Sequence, residues 1–284
     1  MSRISYVNGK YVPHTDAEVH IDDRGYQFGD GVYEVVSVIN GVLADEDWHL
    51  DRLAFSLGEL GIPMPMSRQA LKIVIRNVIR MNSLRFGLVY FQVTRGVMRR
   101  DHAINSTLAP QLIMTAKPLI FPARDSSRAV KVITVPDQRW QRRDIKTTQL
   151  LPNCIAKTRA VEAGAYEALM VDHDGFITEG SSSNAWIVTG AGEIVTRPAT
   201  YDILSGITRK AVLAIAAERN LKIVERAFTP EEAKKAAEVF ITSASSLITA
   251  VGQVDETTIG DGEAGPVSMA LRQAYFDHIA NAAE

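Results

Sequence analysis

Gln141-Arg142-Arg143-Asp144-Ile145-Lys146-Thr147-Thr148 lies near the middle of a 284-residue chain. Val130 to Val135 before it reads as a strand, and Asn153 to Ala163 after it has helical character, ending near Gly164. Ile145, Leu150 and Leu151 predict a buried neighbourhood for Lys146. Burial disfavours an ammonium and yields a nucleophilic amine. The chain has ten lysines, most of them expected on the surface, and these flanks single this one out. Arg142 and Arg143 either add like charge beside it or face water.

Upstream, Asn8-Gly9 and Asn40-Gly41 are type I′ turn signals between short apolar runs, so the first segment reads as hairpins. Leu50, Leu53, Ala54, Leu57 and Leu60 predict a helix from about His49 to Gly61. Leu71, Val74, Ile75, Val78 and Ile79 form the apolar stripe of a second, with Lys72, Arg76 and Arg80 off it. Leu88 to Thr94 and Leu112 to Thr115 read as strands around a polar loop, Arg99 to Pro110. Residues 1–120 are expected to form a small amino-terminal domain, 121–127 a linker, and 128–284 a larger carboxy-terminal domain. In the latter, Ala168 to Val171, Phe176-Ile177, Ala185 to Val188, Ile194-Val195 and Val239 to Thr242 read as strands. Helices are expected from Thr208 to about Asn220, after the capping box Thr229-Pro230-Glu231-Glu232, and around Val267, Leu271 and Tyr275. This mixed order argues α+β. Gly29-Asp30-Gly31 lacks a third glycine and lies between strand signals, so it is no dinucleotide fingerprint.

Composition narrows the function classes. The 46% hydrophobic and 23% charged content suits a globular core. A formal charge of -2 gives no bulk attraction to nucleic acid or an anionic membrane. The single cysteine, Cys154, rules out an intrachain disulfide and argues against a cysteine-rich metal site. Met1 to Tyr6 is not followed by an apolar signal core, and no apolar run is long enough to span a bilayer. The expectation is a cytoplasmic protein with no metal.

Other candidates carry two readings each. Glu179, in Thr178-Glu179-Gly180-Ser181-Ser182-Ser183-Asn184, lies in a flexible turn or is a carboxylate held at a strand end by a hydroxyl-rich loop. Such a carboxylate suits a protonated pyridine nitrogen. Arg52 is a solvated helix arginine or a bidentate phosphate ligand. Gly206-Ile207-Thr208 opens a helix, where N–H groups and a hydroxyl make an anion site; a plain Thr208 cap is compatible with this. Arg100 and His102 lie two apart in a polar loop: either this charged loop is merely exposed, or the segment is extended, so that both side chains point the same way and can reach one carboxylate. Tyr33 is a half-buried strand aromatic or a polar handle in a pocket.

Taken in order, these pieces resemble the fold-type-IV pyridoxal-phosphate enzymes, and among them the D-amino acid aminotransferases. The resemblance rests on Arg24 to Val36 (RGYQFGDGVYEVV), Tyr90 to Gly96 (YFQVTRG), Arg100-x-His102, Asp144-Ile145-Lys146, Thr178 to Asn184 (TEGSSSN), Gly206 to Arg209 and Thr242-Ser243. It implies a two-domain α+β fold with pyridoxal 5′-phosphate between the domains. It implies Lys146 as Schiff-base amine and proton shuttle, Glu179 at the pyridine nitrogen, and Leu204 on one ring face. Arg52, Ile207 and Thr208 would hold the phosphate, with Ser243 and Ala244 near it. Tyr33 would line the substrate pocket. Arg100 and His102 would bind the substrate carboxylate from the neighbouring subunit of a homodimer. The substrates implied are D-amino acids and 2-oxo acids. Two departures stand out: Ala244 occupies a position often held by a hydroxyl residue, and Arg99 offers a second arginine beside Arg100. An L-branched-chain aminotransferase, an aminodeoxychorismate-type lyase and an (R)-amine transaminase are the rivals on the same fold. A protein that binds the cofactor without turnover is the non-enzymatic one.

Overall fold

Asn8 and Gly9 take φ values of 44° and 95°, and Asn40 and Gly41 take 53° and 84°, the left-handed pairs a type I′ turn requires. Both hairpins therefore form where the sequence places them. The computed structural model describes residues 3–105 and 107–281; positions 1, 2, 106 and 282–284, including the first two residues of the amino-terminal reading, lie outside the described residues.

The chain divides into two units. The first runs to Ile120 and also takes Ile145–Gln149. It begins with β1 (Ile4–Val7), β2 (Lys10–Pro13), α1 (Arg24–Phe28), β3 (Gly31–Ile39) and β4 (Val42–Leu43). It continues with α2 (Glu46–Glu59), α3 (Arg68–Met81), β5 (Gly87–Thr94) and β6 (Gln111–Pro118). Among the described residues these strands form one six-stranded sheet, ordered β2-β1-β6-β5-β3-β4, antiparallel throughout. Its core joins Val32, Val36, Val89 and Phe91 of the sheet to Leu50, Leu53 and Leu57 of α2 and Leu71, Ile75 and Val78 of α3. The helical stripes expected from the sequence are thus the buried faces, except that Ala54 of α2 is exposed.

Two features of this unit differ from expectation. Helix α2 starts at Glu46, three residues before His49; Glu46 and Asp47 give its first turn two carboxylates, favourable at the positive end of the helix dipole. Gly29-Asp30-Gly31 does not lie between strands: it directly follows α1. The five-residue helix is too short to show periodicity, and its signals are local. Asp23 accepts from Gly25 N–H at its start, and Gly29, at φ 66°, ends it in the left-handed region.

Ile145–Gln149 form a strap on β3. Tyr33 N–H donates to Lys146 C=O at 3.0 Å, Thr148 N–H donates to Gly31 C=O at 3.0 Å, and Thr147 bridges Val32. Ile145 plugs into the core of this unit. The Lys146 backbone is therefore fixed on both sides of the residue.

The second unit takes Phe121–Asp144 and, among the described residues, 150–281. It contains β7 (Val130–Pro136), α4 (Leu151–Glu162), β8 (Glu167–Val171), β9 (Ile177–Gly180), β10 (Asn184–Val188), β11 (Ile194–Thr196) and α5 (Ile207–Glu218). β12 (Ile223–Glu225), α6 (Pro230–Lys234), β13 (Glu238–Ser243), β14 (Leu247–Val254), β15 (Thr257–Thr258) and α7 (Pro266–Asn281) follow. The sheet order is β12-β11-β10-β13-β14-β7-β8-β9, with β15 on β14. Pairs β7/β8, β14/β7 and β11/β12 are parallel and the others antiparallel, a mixed sheet of the α+β kind. Strand β12 has no counterpart among the expected strands: three half-buried or exposed residues carry almost no pattern. The Thr229 capping box forms with both bonds at 3.1 Å. Leu151 is 71% exposed, so the buried neighbourhood expected from Leu150-Leu151 does not exist on that side; Leu151 opens α4 facing water. Among the described residues no helix is long and apolar enough to cross a membrane.

Candidate active site

Strand alternation sets the first cluster. Successive residues of β3 point to opposite faces, so Tyr33 turns away from the core that receives Val32, Glu34 and Val36. The Lys146 strap crosses Tyr33, and Lys146 Nζ sits 4.2 Å from the centroid of the Tyr33 ring. Ser56 Oγ accepts from Lys146 N–H at 3.2 Å, which ties the strap to α2. The Tyr90 ring lies 5.6 Å from that of Tyr33. Burial, and to a lesser degree Tyr33, pushes the Tyr90 phenol up.

On the core face of the same strand stands Glu34, completely buried. Arg52 and His49, one turn apart on α2, both reach it. Arg52 Nε and Nη2 donate to the two carboxylate oxygens at 2.8 Å each, and His49 Nδ1 lies 2.7 Å from Oε2. Burial works against the Glu34 charge, but Arg52 and His49 overcome it and hold the carboxyl down to about 2. Burial pushes His49 down, against the pull of Glu34, so the imidazole is the neutral donor. Arg52 is not the solvated helix arginine of the bland reading.

Arg100 and His102 are exposed and both contact the Phe28 ring, although the segment bends at each of them and is not the extended run expected. Arg100 Cζ is 4.5 Å from the Phe28 centroid, and the His102 ring is 5.5 Å from it. Arg24 Cζ also lies over the ring, 4.7 Å from its centroid, and Arg24 donates to Asp101 C=O at 2.6 Å, clamping the loop. Asp30 anchors Arg24 and Arg95 at 2.7 and 2.8 Å. Burial raises the Asp30 carboxyl, but the two arginines outweigh it and hold it below its ordinary value.

The second unit presents Glu179 at the end of β9, 4% exposed. Arg139 Nη1 donates to Oε1 at 2.5 Å, Asn184 Nδ2 donates to Oε2 at 2.9 Å, and Leu204 N–H is 3.1 Å from both oxygens. Burial pushes the Glu179 carboxyl up and Arg139 opposes it. Asp137 takes the other edge of Arg139 in a bidentate pair at 3.0 and 2.8 Å. The serine hydroxyls do not hold Glu179, contrary to the hydroxyl-loop reading. Ser181, Ser182 and Ser183 all donate to Glu167, 1% exposed on the neighbouring strand β8. Nor is the segment a flexible turn, since Gly180 N–H also closes on Ser183 C=O at 2.6 Å. Arg142 and Arg143 are engaged by Asp144 and by Asp137 and Asp202 of this unit.

Asn184 also donates to Leu204 C=O at 2.9 Å, and it pairs with Thr242 across β10 and β13. The Leu204–Thr208 segment is thereby seated at the end of β13. Gly206 lies so close that a Cβ there would meet Asn184 Oδ1 at 1.9 Å. Ile207 and Thr208 are the first residues of α5, whose opening N–H groups have no intrahelical acceptor. Ser243 ends β13 and accepts from Ser246 N–H at 3.1 Å, closing the Ala244-containing turn. A carboxylate and a helix start thus stand on connected segments. That donor set fits a group with a protonated ring nitrogen and a phosphate.

The residues missed from the sequence are Glu34, His49, Phe28, Arg139, Asn184 and Glu167. Glu34 alone had a visible signal, an acid in the apolar phase of an alternating strand.

Residues 31–254 match the family profile of the class IV amino-transferases. The chain belongs to that family, whose members work through pyridoxal phosphate. It is 41% identical over 272 residues to the D-alanine aminotransferase of Bacillus licheniformis, covering 96% of this chain and 95% of that one. Its fold is similar to that of the branched-chain amino acid aminotransferase of Escherichia coli, at TM-score 0.91 and 25% identity, covering 98% of this chain and 94% of that one. It is also similar to the branched-chain amino acid aminotransferase of Thermobaculum terrenum, solved in its PLP-form, at TM-score 0.85 and 20% identity, covering 99% and 94%.

Proposed function

We propose that this chain is a D-amino acid transaminase. It moves the amino group of D-alanine or another D-amino acid to 2-oxoglutarate or another 2-oxo acid. The observation that carries this reading is the 41% identity, over nearly the whole chain, to a D-alanine aminotransferase, against 25% to the branched-chain enzyme. The Arg100/His102 pair supports it, since a substrate lacking a carboxylate leaves two donors without an anion.

The cofactor, when bound, supplies an aldehyde that accepts the amino group and a ring that withdraws electrons from the substrate Cα–H bond. Lys146 Nζ would be the amine that holds the aldehyde and, when free, the base that takes and returns the substrate Cα proton. Glu179, as a carboxylate, would keep the ring nitrogen protonated, and Arg139 opposes the burial that raises the Glu179 carboxyl. Arg52, Ile207 and Thr208 bind the phosphate, with Ser243 and the backbone of Ala244 beside it. Leu204 would pack against one ring face and Tyr33 would line the substrate side. Arg100 and His102 orient the substrate carboxylate, reaching across the interface of a homodimer, so that a D- and not an L-substrate presents its Cα–H to Lys146. The cytoplasm is the compartment we assign.

The test is the visible spectrum of the cofactor-loaded protein with D-alanine and, separately, L-alanine. The expected result is a cofactor band that only D-alanine converts. A response to L-amino acids alone transfers the chain to the branched-chain reading. A band that answers to neither favours the lyase.

A further inference from the structure

We infer that Glu34 is the positioning residue of the phosphate subsite, acting through Arg52. The inference rests on the reading of Arg52 as a phosphate ligand. Glu34 stands on the core face of β3 between Val32 and Val36, where an apolar side chain is the simplest solution. A buried ion pair adds little stability over an apolar pair of the same volume, because desolvation offsets the attraction. What it supplies is geometry. The Nε and Nη2 edge of Arg52 is engaged by both oxygens of one carboxylate, at 2.8 Å each, which fixes the plane of the guanidinium. His49 binds the same carboxylate at 2.7 Å and is 4% exposed, so Glu34 itself cannot swing. Arg52, at 9% side-chain exposure, is the outermost member of the triad.

Two effects of Glu34 on phosphate binding have opposite signs. Its charge repels an incoming phosphate. Its grip holds the arginine in a ready conformation, so binding need not order a long side chain. The bidentate geometry and the second clamp from His49 make the grip the larger effect.

The experiment measures the affinity of the cofactor-stripped full chain for pyridoxal phosphate and for pyridoxal, by quenching of intrinsic fluorescence. Glu34→Gln is expected to weaken pyridoxal phosphate about tenfold or more while leaving pyridoxal unchanged. Glu34→Asp, which keeps the charge and withdraws it by one methylene, is expected to weaken it too. Restoration by Glu34→Asp makes Glu34 a mere counter-charge and overturns the inference. So does equal loss for both ligands, or an unchanged or tighter phosphate affinity. Should Glu34→Gln not fold, His49→Leu and His49→Asn take its place. Loss of phosphate selectivity in the first and retention in the second is expected, since the Asn amide replaces the Nδ1 donor; selectivity unaltered in both overturns the inference. Arg52→Gln separates the two layers. If it leaves the ratio of the affinities unchanged, the phosphate role of Arg52 itself falls. If it lowers the ratio and Glu34→Gln does not, only the positioning role falls.

Discussion

Arg139 donates to Glu179 at 2.5 Å from one edge of its guanidinium and grips Asp137 with the other. Burial works against the Arg139 charge, yet the two carboxylates more than offset it and raise its pKa. Burial also raises Asp137, and Arg139 outweighs that effect and holds it below its ordinary value. For Glu179 burial prevails, and its carboxyl stays raised despite the arginine. Removing the cation therefore raises Glu179 further, so the carboxyl stays neutral to higher pH. Arg139→Met is expected to move the acid limb of the kcat profile to higher pH and to lower kcat at neutral pH about tenfold or more. Arg139→Lys, which keeps a charge, should shift the limb less. The check is the pH–rate profile with D-alanine; an acid limb that stays in place removes Arg139 from this role.

The strap that fixes Lys146 predicts a sharp result. Its backbone is held by Ser56, Tyr33 and the Thr147 bridge, and its side chain adds no buried plug to the core. Lys146→Ala should fold with an unchanged melting temperature and lose transamination by about 10³-fold or more. Borohydride treatment should no longer fix the cofactor to the protein. Retained covalent fixation would place the amine on another lysine.

Phe28 gathers Arg24, Arg100 and His102 on one ring, which would make it a positioning residue if, as proposed, Arg100 and His102 bind the substrate carboxylate. Arg100→Leu is expected to lower kcat/KM for D-alanine by about ten- to a hundredfold, the range of a lost charge-assisted hydrogen bond. Phe28→Leu keeps the apolar contact and loses the cation–π attraction, so a few-fold rise in KM with kcat unchanged is expected. Equal effects on an amine substrate that has no carboxylate would show a structural role instead.

His49 and Glu34 give the first unit an acid-labile core. Buried His49 holds a proton less readily than an unfolded histidine, whose ordinary value is 6.5. Below that pH the unfolded chain takes up a proton that the folded chain refuses, so stability falls as pH drops. Glu34 acts in the same direction lower down. Its carboxyl is held at about 2 against an ordinary 4.5, so stability is lost as pH falls from 4.5 toward 2. Thermal melts of the protein should therefore decline in two stages on acidification. His49→Asn, which cannot titrate, should remove the upper stage and leave the lower. An upper stage unchanged in that variant would assign it to another group.

Elements with a long period were legible in the sequence. The stripes of α2 and α3 and the two Asn-Gly hairpins form as the pattern dictates, because side-chain burial and positive φ are local requirements. Helix α1 and strand β12 were not, since five and three residues hold too little periodicity, and neither was the eight-residue β14, whose burial on both faces leaves no alternation to read. Among the candidate site residues, the sequence singles out Lys146, Glu179 and the Arg100/His102 pair because their chemistry or spacing is unusual. Their partners were not. Arg139 lies 40 residues from Glu179, and Glu34 lies 18 from Arg52. Which acid meets which base is decided by sheet register and helix docking, and the sequence displays neither. The serine run was misassigned for the same reason: its partner Glu167 is brought alongside only when β8 pairs with β9.

Gly206 is present for space and not for backbone freedom, because its φ of -65° suits any residue. A Cβ there would stand 1.9 Å from Asn184 Oδ1. Asn184 cannot retreat without loosening its bonds to Glu179 and Leu204. Gly206→Ala is therefore expected to cost about 1–3 kcal/mol, as overpacking in a filled site does. Gly190→Ala, whose Cβ meets nothing within 4 Å, should be neutral and serves as the control. Thermal melts compare the two, and a Gly206 variant as benign as the control would show that the contact yields. Combining Gly206→Ala with Asn184→Ala separates packing from chemistry. The clash is gone, so part of the melting temperature should return. Glu179 then lacks its Asn184 donor, so transamination should not. Recovery of both would mean that Asn184 serves only to fill the gap beside Gly206.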